Sequence, residues 1–322
     1  SFEKENQLSG TIKFNTFNFD FLNPFLPNEI ISELDGELSG NVALTGNWME
    51  PIFNGSLNLN NGNIKMTEFN TSFSLYGPID IKPDHIEIIN ATLKDQLNTK
   101  GQFSAFYDHD NFVDYSFNVI TKFDEPLMIM NNNYEDNPLY YGDAYVTGFT
   151  TISYDSLNLL SIDVNVQTEE KTKLTIPLYG TDEVELHDFI SFKNKDSSAN
   201  EHNLNEEYSR DEFNLNIEMD ITEEAELLLV FDETVGDVMK SKGTGSIRLN
   251  IDEFYDLSMF GTYTVSEGDY SFTLKDFINK KFNVEPGGQI TWYGNPYNAN
   301  LDLYANYPLK TSLSSIMPLT ER

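Results

Sequence analysis

The chain has 322 residues and a mass of 36.8 kDa, enough to bury a sizeable apolar interior as one large β domain or two ordinary ones. Fifty-two acidic residues against 20 basic ones leave a formal net charge of -32, which repels phosphate backbones and anionic lipid headgroups at long range and excludes nucleic acid as a partner. With no cysteine there is no disulfide, thiolate metal site or cysteine nucleophile, and 24 Phe with 17 Tyr favour strands over helices.

Period-2 alternation dominates the chain and separates an apolar from a polar face. It begins at Ile12 and Phe14 and continues through Phe17, Phe19 and Phe21. It returns at 42–44, 57–59, 64–66, 79–81 and 86–88, with Gly or Pro signals between, so these segments read as short strands at short spacing. The second half repeats it at 162–166, 215–219, 247–251 and 301–305. A weak internal repeat links Gly36-Glu37-Leu38-Ser39-Gly40 with Gly243-Thr244-Gly245-Ser246-Ile247, and the run from Gly55 to Gly62 has the same order of small residue, strand and turn. The period is irregular, which favours stacked β units over a single sandwich. Residues 131–138 are polar and turn-rich, and residues 193–211 are charged, nearly free of aliphatic side chains and read as a mobile loop. Helices are expected to be few and short, with 274–281 the best candidate. No run approaches the ~20 apolar residues of a spanning helix. The start at Ser1 without an initiator Met reads as a piece of something longer.

The residues offer no catalytic constellation, so the chain is read as a non-enzyme without cofactor. His85, His109, His187 and His202 share no ligand spacing. Asp108-His109-Asp110-Asn111 with Asp114 lacks the mid-loop Gly and terminal Glu of a calcium loop and reads as a polar hairpin turn. Gly287-Gly288 falls between strands, as a turn rather than a phosphate cradle. What does call for explanation is the apolar face. It must be buried by closing the sheet, by a second layer or by an apolar ligand, and the pattern alone leaves all three open.

The C-terminal half carries a more specific run. It contains Gly243-Thr244-Gly245-Ser246-Ile247-Arg248-Leu249, then Gly261-Thr262-Tyr263-Thr264-Val265-Ser266-Glu267-Gly268-Asp269-Tyr270. Gly287-Gly288-Gln289-Ile290-Thr291-Trp292 follows, then Gly294-Asn295-Pro296-Tyr297-Asn298-Ala299. This resembles the C-terminal signature of the TamB family, particularly its Bacteroidetes-type members. Asp136-Asn137-Pro138-Leu139-Tyr140-Tyr141-Gly142 and Lys173-Leu174-Thr175-Ile176-Pro177 extend the likeness, so it covers about residues 125–315.

The resemblance implies a β-taco, an elongated folded-over sheet forming an open trough with an apolar inner face. It makes residues 1–124 stacked β units of the trough and 125–322 the signature region continuous with it. It also implies an AsmA-like, periplasm-spanning protein of a Gram-negative bacterium that carries phospholipid or another acyl-chain lipid. An outer-membrane barrel of the TamA/Omp85 type is the implied partner, and an inner-membrane anchor is expected in the full-length protein though absent here. Combined with the alternation, it makes Leu215, Ile217, Ile247, Leu249, Ile251, Phe272, Ile290, Trp292, Leu301 and Leu303 the candidate lipid-lining residues. Two other readings stand beside the conduit: a scaffold that assembles outer-membrane barrels through exposed strand edges, and a secreted β-helix enzyme or adhesin acting on polysaccharide.

Overall fold

Alternating Ile, Val, Phe and Tyr fit a pleated, half-buried surface, and the segments that carry them are strands. The computed structural model describes residues 7–25, 31–67, 69–111, 114–138, 140–155, 159–177, 212–232, 236–252, 256–274, 278–296 and 298–308. Among them are β1 (Gln7–Asn18), β2 (Ile31–Asn47), β3 (Pro51–Met66), β4 (Thr71–Lys82), β5 (His85–Lys94) and β6 (Lys100–Asp110). Next come β7 (Asp114–Asn132), β8 (Tyr141–Tyr154), β9 (Leu159–Thr168), β10 (Lys173–Pro177), β11 (Glu212–Ile221) and β12 (Glu226–Asp232). The last are β13 (Asp237–Ile251), β14 (Leu257–Leu274), β15 (Ile278–Val284), β16 (Gln289–Gly294), β17 (Asn300–Asp302) and β18 (Ala305–Asn306). All belong to one sheet.

Through the first half of the chain, neighbours in sequence are neighbours in the sheet. From β1 to β9 each strand pairs antiparallel with the next. The sheet then continues through β11, β13, β14, β16 and β17, which completes a ladder of 14 rungs from β1. At the usual strand spacing that ladder is about 60 Å long. The one exception to the antiparallel rule lies in the middle, where β11 runs parallel to β9 and β12 parallel to β10. A parallel pair requires a crossover; residues 178–211, between β10 and β11, are outside the described residues, and with them the segment 193–211 expected to be a mobile loop.

A line of irregularities crosses the ladder. Register shifts fall at Phe14/Phe17, Asp35/Glu37, Leu59/Gly62, Tyr76/Asp80, Ile88/Ala91, Phe123/Leu127 and Lys242/Gly243. On other rungs the strand is cut at the same level: β9 and β10 both pair with β8, β11 and β12 with β13, and β15 and β16 with β14. A bulge bends a strand and raises its twist. Aligned bulges therefore fold the whole sheet into two arms. Asn61 (φ 53°) and Asn90 (φ 53°) sit in two of them, because Asn tolerates the left-handed region better than other side chains with a Cβ.

Two expectations change. The run 60–62 is not a turn: β3 passes through it as a bulge, so 57–59 and 64–66 belong to one strand instead of two. The segment 274–281 is not a helix, since β14 ends at Leu274 and β15 starts at Ile278. The residues that follow it, Phe282 and Val284, alternate onto one face as the continuation of β15, and a hairpin with β14 satisfies the backbone better than an isolated helical turn. The helical element among the described residues is instead a 3-10 turn at Asp20–Phe25. No described helix is long and apolar enough to cross a membrane.

The apolar core lies inside the fold. Leu59, Leu75, Leu93, Phe123, Leu127, Val146 and Val166 form one cluster, with Ile64 and Ile129 from beyond the bulges packed against it. Leu229, Met239, Tyr263, Val265, Val284 and Ile290 form a second. The clusters meet on β11, where Met219 touches the first and Ile221 the second. Each fully buried aliphatic side chain contributes roughly 1.5–3 kcal/mol, so the fold line, where both arms bury their residues, is the stable spine of the molecule.

A continuous apolar trough with an acidic mouth

Directly opposed residues in a sheet share a face, so the register traces which side chains line the inside. From β5 to β14 a single row runs Ile88, Ala105, Val119, Ile152, Ile162, Leu215, Ile251, Leu257 without a polar interruption. It continues through the parallel junction because the in-register pairing of Ile162 with Leu215 preserves the face. One step closer to the fold line, Val164, Ile217, Leu249 and Met259 form another such row.

Burial is graded across these rows. On β9, Val166 is buried, whereas Leu160, Ile162 and Val164 are half-buried. The spine is therefore packed with protein and the arm beyond it opens outward as a trough. The opposite arm supplies a second apolar wall, in which Ile176, Leu229, Met239, Tyr270 and Phe282 are opposed in turn. Tyr270 is pushed above the usual phenol range, first by burial and then by Asp237. At the spine Tyr263 is 1% exposed, and its hydroxyl lies 3.2 Å from Ser241 Oγ, which satisfies the polar tip inside the apolar floor.

The ten residues expected to line a trough all lie on this inner face, at different depths. Leu215, Ile217, Leu249 and Ile251 are half-buried on the open arm. Ile247 and Ile290 are 2% and 1% exposed and sit in the packed spine. Trp292 is opposed to Gly261 and donates its indole N–H to the carbonyl oxygen of Pro296 at 3.1 Å, while Leu303 packs on the second cluster. Phe272 belongs to the second wall, two residues beyond Tyr270. Leu301, opposed to Ile290 on the short terminal rung, is 52% exposed.

Sequence reasoning passed over the first half of the same face, including Ile86, Ile88, Val119 and Ile152, although the alternation there is equally clear. It also missed an aromatic band at the mouth of the open arm. Tyr107 and Tyr115 stack at 5.8 Å, Tyr115 and Tyr154 at 5.3 Å, and Phe117 and Tyr154 at 5.7 Å. Tyr107 is raised above the ordinary phenol range by burial and then by Tyr115. Asp108 to Asp114 forms the hairpin joining β6 and β7, with Asp110 opposed to Asp114, and no group of three metal-binding side chains occurs among the described residues.

Charge collects at the same hairpin ends. His85, at the start of β5, is 2.6 Å from Asp108 through Nδ1 and 3.2 Å from Glu87 through Nε2, while Lys82 reaches Glu87 at 2.6 Å. Hydrogen bonding to Asp108, then to Glu87, raises the His85 pKa above 6.5. A raised folded pKa means that the stabilisation is fully present below about pH 6.5 and is lost as pH rises through the folded value. Replacing His85 by Gln is expected to lower the melting temperature measurably at pH 6 and by less at pH 9; equal shifts at both would show that the ion pairs contribute nothing.

With this geometry in view, two family models match the chain: the TamB C-terminal domain over residues 87–321 and the TamB N-terminal domain over residues 1–59. No curated protein and no solved structure matches it. Proteins of the matched family span the periplasm, serve transport and assembly in the cell envelope, and work with outer-membrane proteins of the Omp85 type. The C-terminal model alone covers well over half of the sequence, and the chain belongs to the TamB family.

Proposed function

We propose that the trough is a conduit in which phospholipid moves between the inner and outer membranes with its acyl chains on the apolar floor and its headgroup in water at the open side. The observation that carries this reading is the eight-residue row from Ile88 to Leu257, apolar on every rung and half-buried throughout. Each methylene withdrawn from water gains roughly 0.8 kcal/mol, so lipid entry is favourable. Successive rungs present nearly equivalent surfaces, so a chain exchanges one set of contacts for another and meets no deep trap along the row.

The test is direct. The protein is purified without detergent, extracted, and its bound lipid identified by mass spectrometry, comparing the wild type with Leu249→Arg and Leu303→Arg. The outward controls are Asn250→Arg and Asp302→Arg. Stoichiometric phospholipid is expected in the wild type and controls, and at least about a tenfold loss in the inner-face variants, because a guanidinium facing acyl chains costs several kcal/mol. An empty wild type would sink the conduit and favour a scaffold for barrel assembly. Such a scaffold would act through exposed strand edges.

A further inference from the structure

We propose that the groove selects phospholipids whose headgroup is net neutral and carries an ammonium group, and disfavours anionic ones; this rests on the conduit reading above. The argument is the match between two polarity profiles. Across the open arm the protein passes from an aliphatic floor, through the band of Tyr107, Tyr115 and Tyr154, to the tips of the hairpins. A lipid seated with its chains on that floor passes from methylenes, through its phosphate, to the end of its headgroup.

Tyrosine rings suit the boundary between hydrocarbon and water, with the ring on the apolar side and the hydroxyl wet. At that depth the hydroxyls are donors facing the level of a phosphate. Beyond them the hairpin tips carry an excess of carboxylates. Asp84 lies between β4 and β5, Asp110 and Asp114 close the β6–β7 hairpin, Asp155 follows β8, and Asp252 and Asp256 flank the β13–β14 connection. The basic groups at these described tips, Lys82 and His85, are already paired, Lys82 with Glu87 and His85 with Asp108 and Glu87. An ammonium projecting past the phosphate meets carboxylates and aromatic faces, both of which attract it. An added anionic charge meets a mouth whose basic groups are already paired and whose carboxylates are in excess, on a chain of net charge -32.

The test lets two lipids compete from one surface, so that repulsion between protein and membrane cancels. The intact chain is incubated with vesicles containing equal parts of ethanolamine and glycerol phospholipids of identical acyl chains, separated, and its bound lipid counted by mass spectrometry. At low salt the bound ratio is expected to favour ethanolamine by at least about threefold, the scale of exposed charge pairs. It should fall toward one in 0.5 M salt, and toward one in the triple variant Asp84→Asn, Asp110→Asn, Asp114→Asn. Tyr115→Leu should lower it in part. A ratio near one at low salt, or one that salt leaves unchanged, overturns headgroup selection while the conduit stands. Bound lipid of neither kind overturns the conduit and this inference together. The salt titration uses the wild type alone, so a variant that fails to fold does not remove the test.

Discussion

Replacing Gly148 by Ala is expected to destabilise the protein by about 3 kcal/mol, a large effect for one methyl group. Gly148 is opposed to Phe123 on β7 and to Val166 on β9, so it lies on the packed spine, beside the Phe123/Leu127 shift. Its φ of +143° is one that L side chains rarely adopt. A Cβ there would stand 2.2 Å from the carbonyl oxygen of Asn165 and 2.9 Å from the Cα of Val166, both backbone atoms. Neither can rotate away, so relief requires the β8–β9 ladder to separate where Val146 and Val166 are buried. Gly10→Ala is the matched control: among the described residues β1 pairs with β2 alone, nothing lies within 4 Å of the added atom, and the unfolded chain loses freedom, so stability is expected to hold or rise slightly. Thermal unfolding followed by circular dichroism reads both, and equal behaviour of the two variants would show that the bulge line does not hold the fold.

That contrast marks what a sequence of this kind reveals. Alternation is a local property, so the strand segments and the face of each residue were legible from Ile162-Asp163-Val164 or Leu301-Asp302-Leu303 alone. The trough itself, and the all-β taco, were legible through the TamB-like glycine and tryptophan run rather than through period. Less legible was where a strand bends. Asn60-Asn61-Gly62 has the composition of a turn, and only pairing with β2 and β4 on either side shows that the chain bulges and carries on. The segment 274–281 was ambiguous for the opposite reason, since a short run of Phe, Ile and Lys suits one helical turn as well as a hairpin arm. The aromatic band at the mouth was legible only in part: the hairpin turn read at 108–114 sets Tyr107 beside Tyr115, whereas Tyr154 lies far along the chain and only the β7–β8 register brings its ring to theirs.

Placing a charge in the middle of the apolar row separates a conduit from a set of independent lipid pockets. Ile162 is half-buried between Ile152 and Leu215, with four residues of the row on its β5 side, from Ile88 to Ile152, and three on its β14 side, from Leu215 to Leu257. In Ile162→Arg the long side chain can reach toward the open mouth, so the fold is expected to survive. Its guanidinium nevertheless stands across the path, and an acyl chain sliding past must strip it of water at a cost of several kcal/mol. A cost of about 2.7 kcal/mol corresponds to a hundredfold. The measurement uses the protein in its cells, with a photoreactive phenylalanine at Ile88 or at Leu257, the two ends of the row, and reads lipid adducts after illumination. Wild type and the outward control Gln167→Arg are expected to capture lipid at both ends. Ile162→Arg is expected to keep capture at the end where lipid enters and to lose about a hundredfold at the other, which also reports the direction of travel. Equal capture at both ends in Ile162→Arg would mean that lipid enters each rung sideways through the mouth, and the row would then be a series of binding sites with no passage along it.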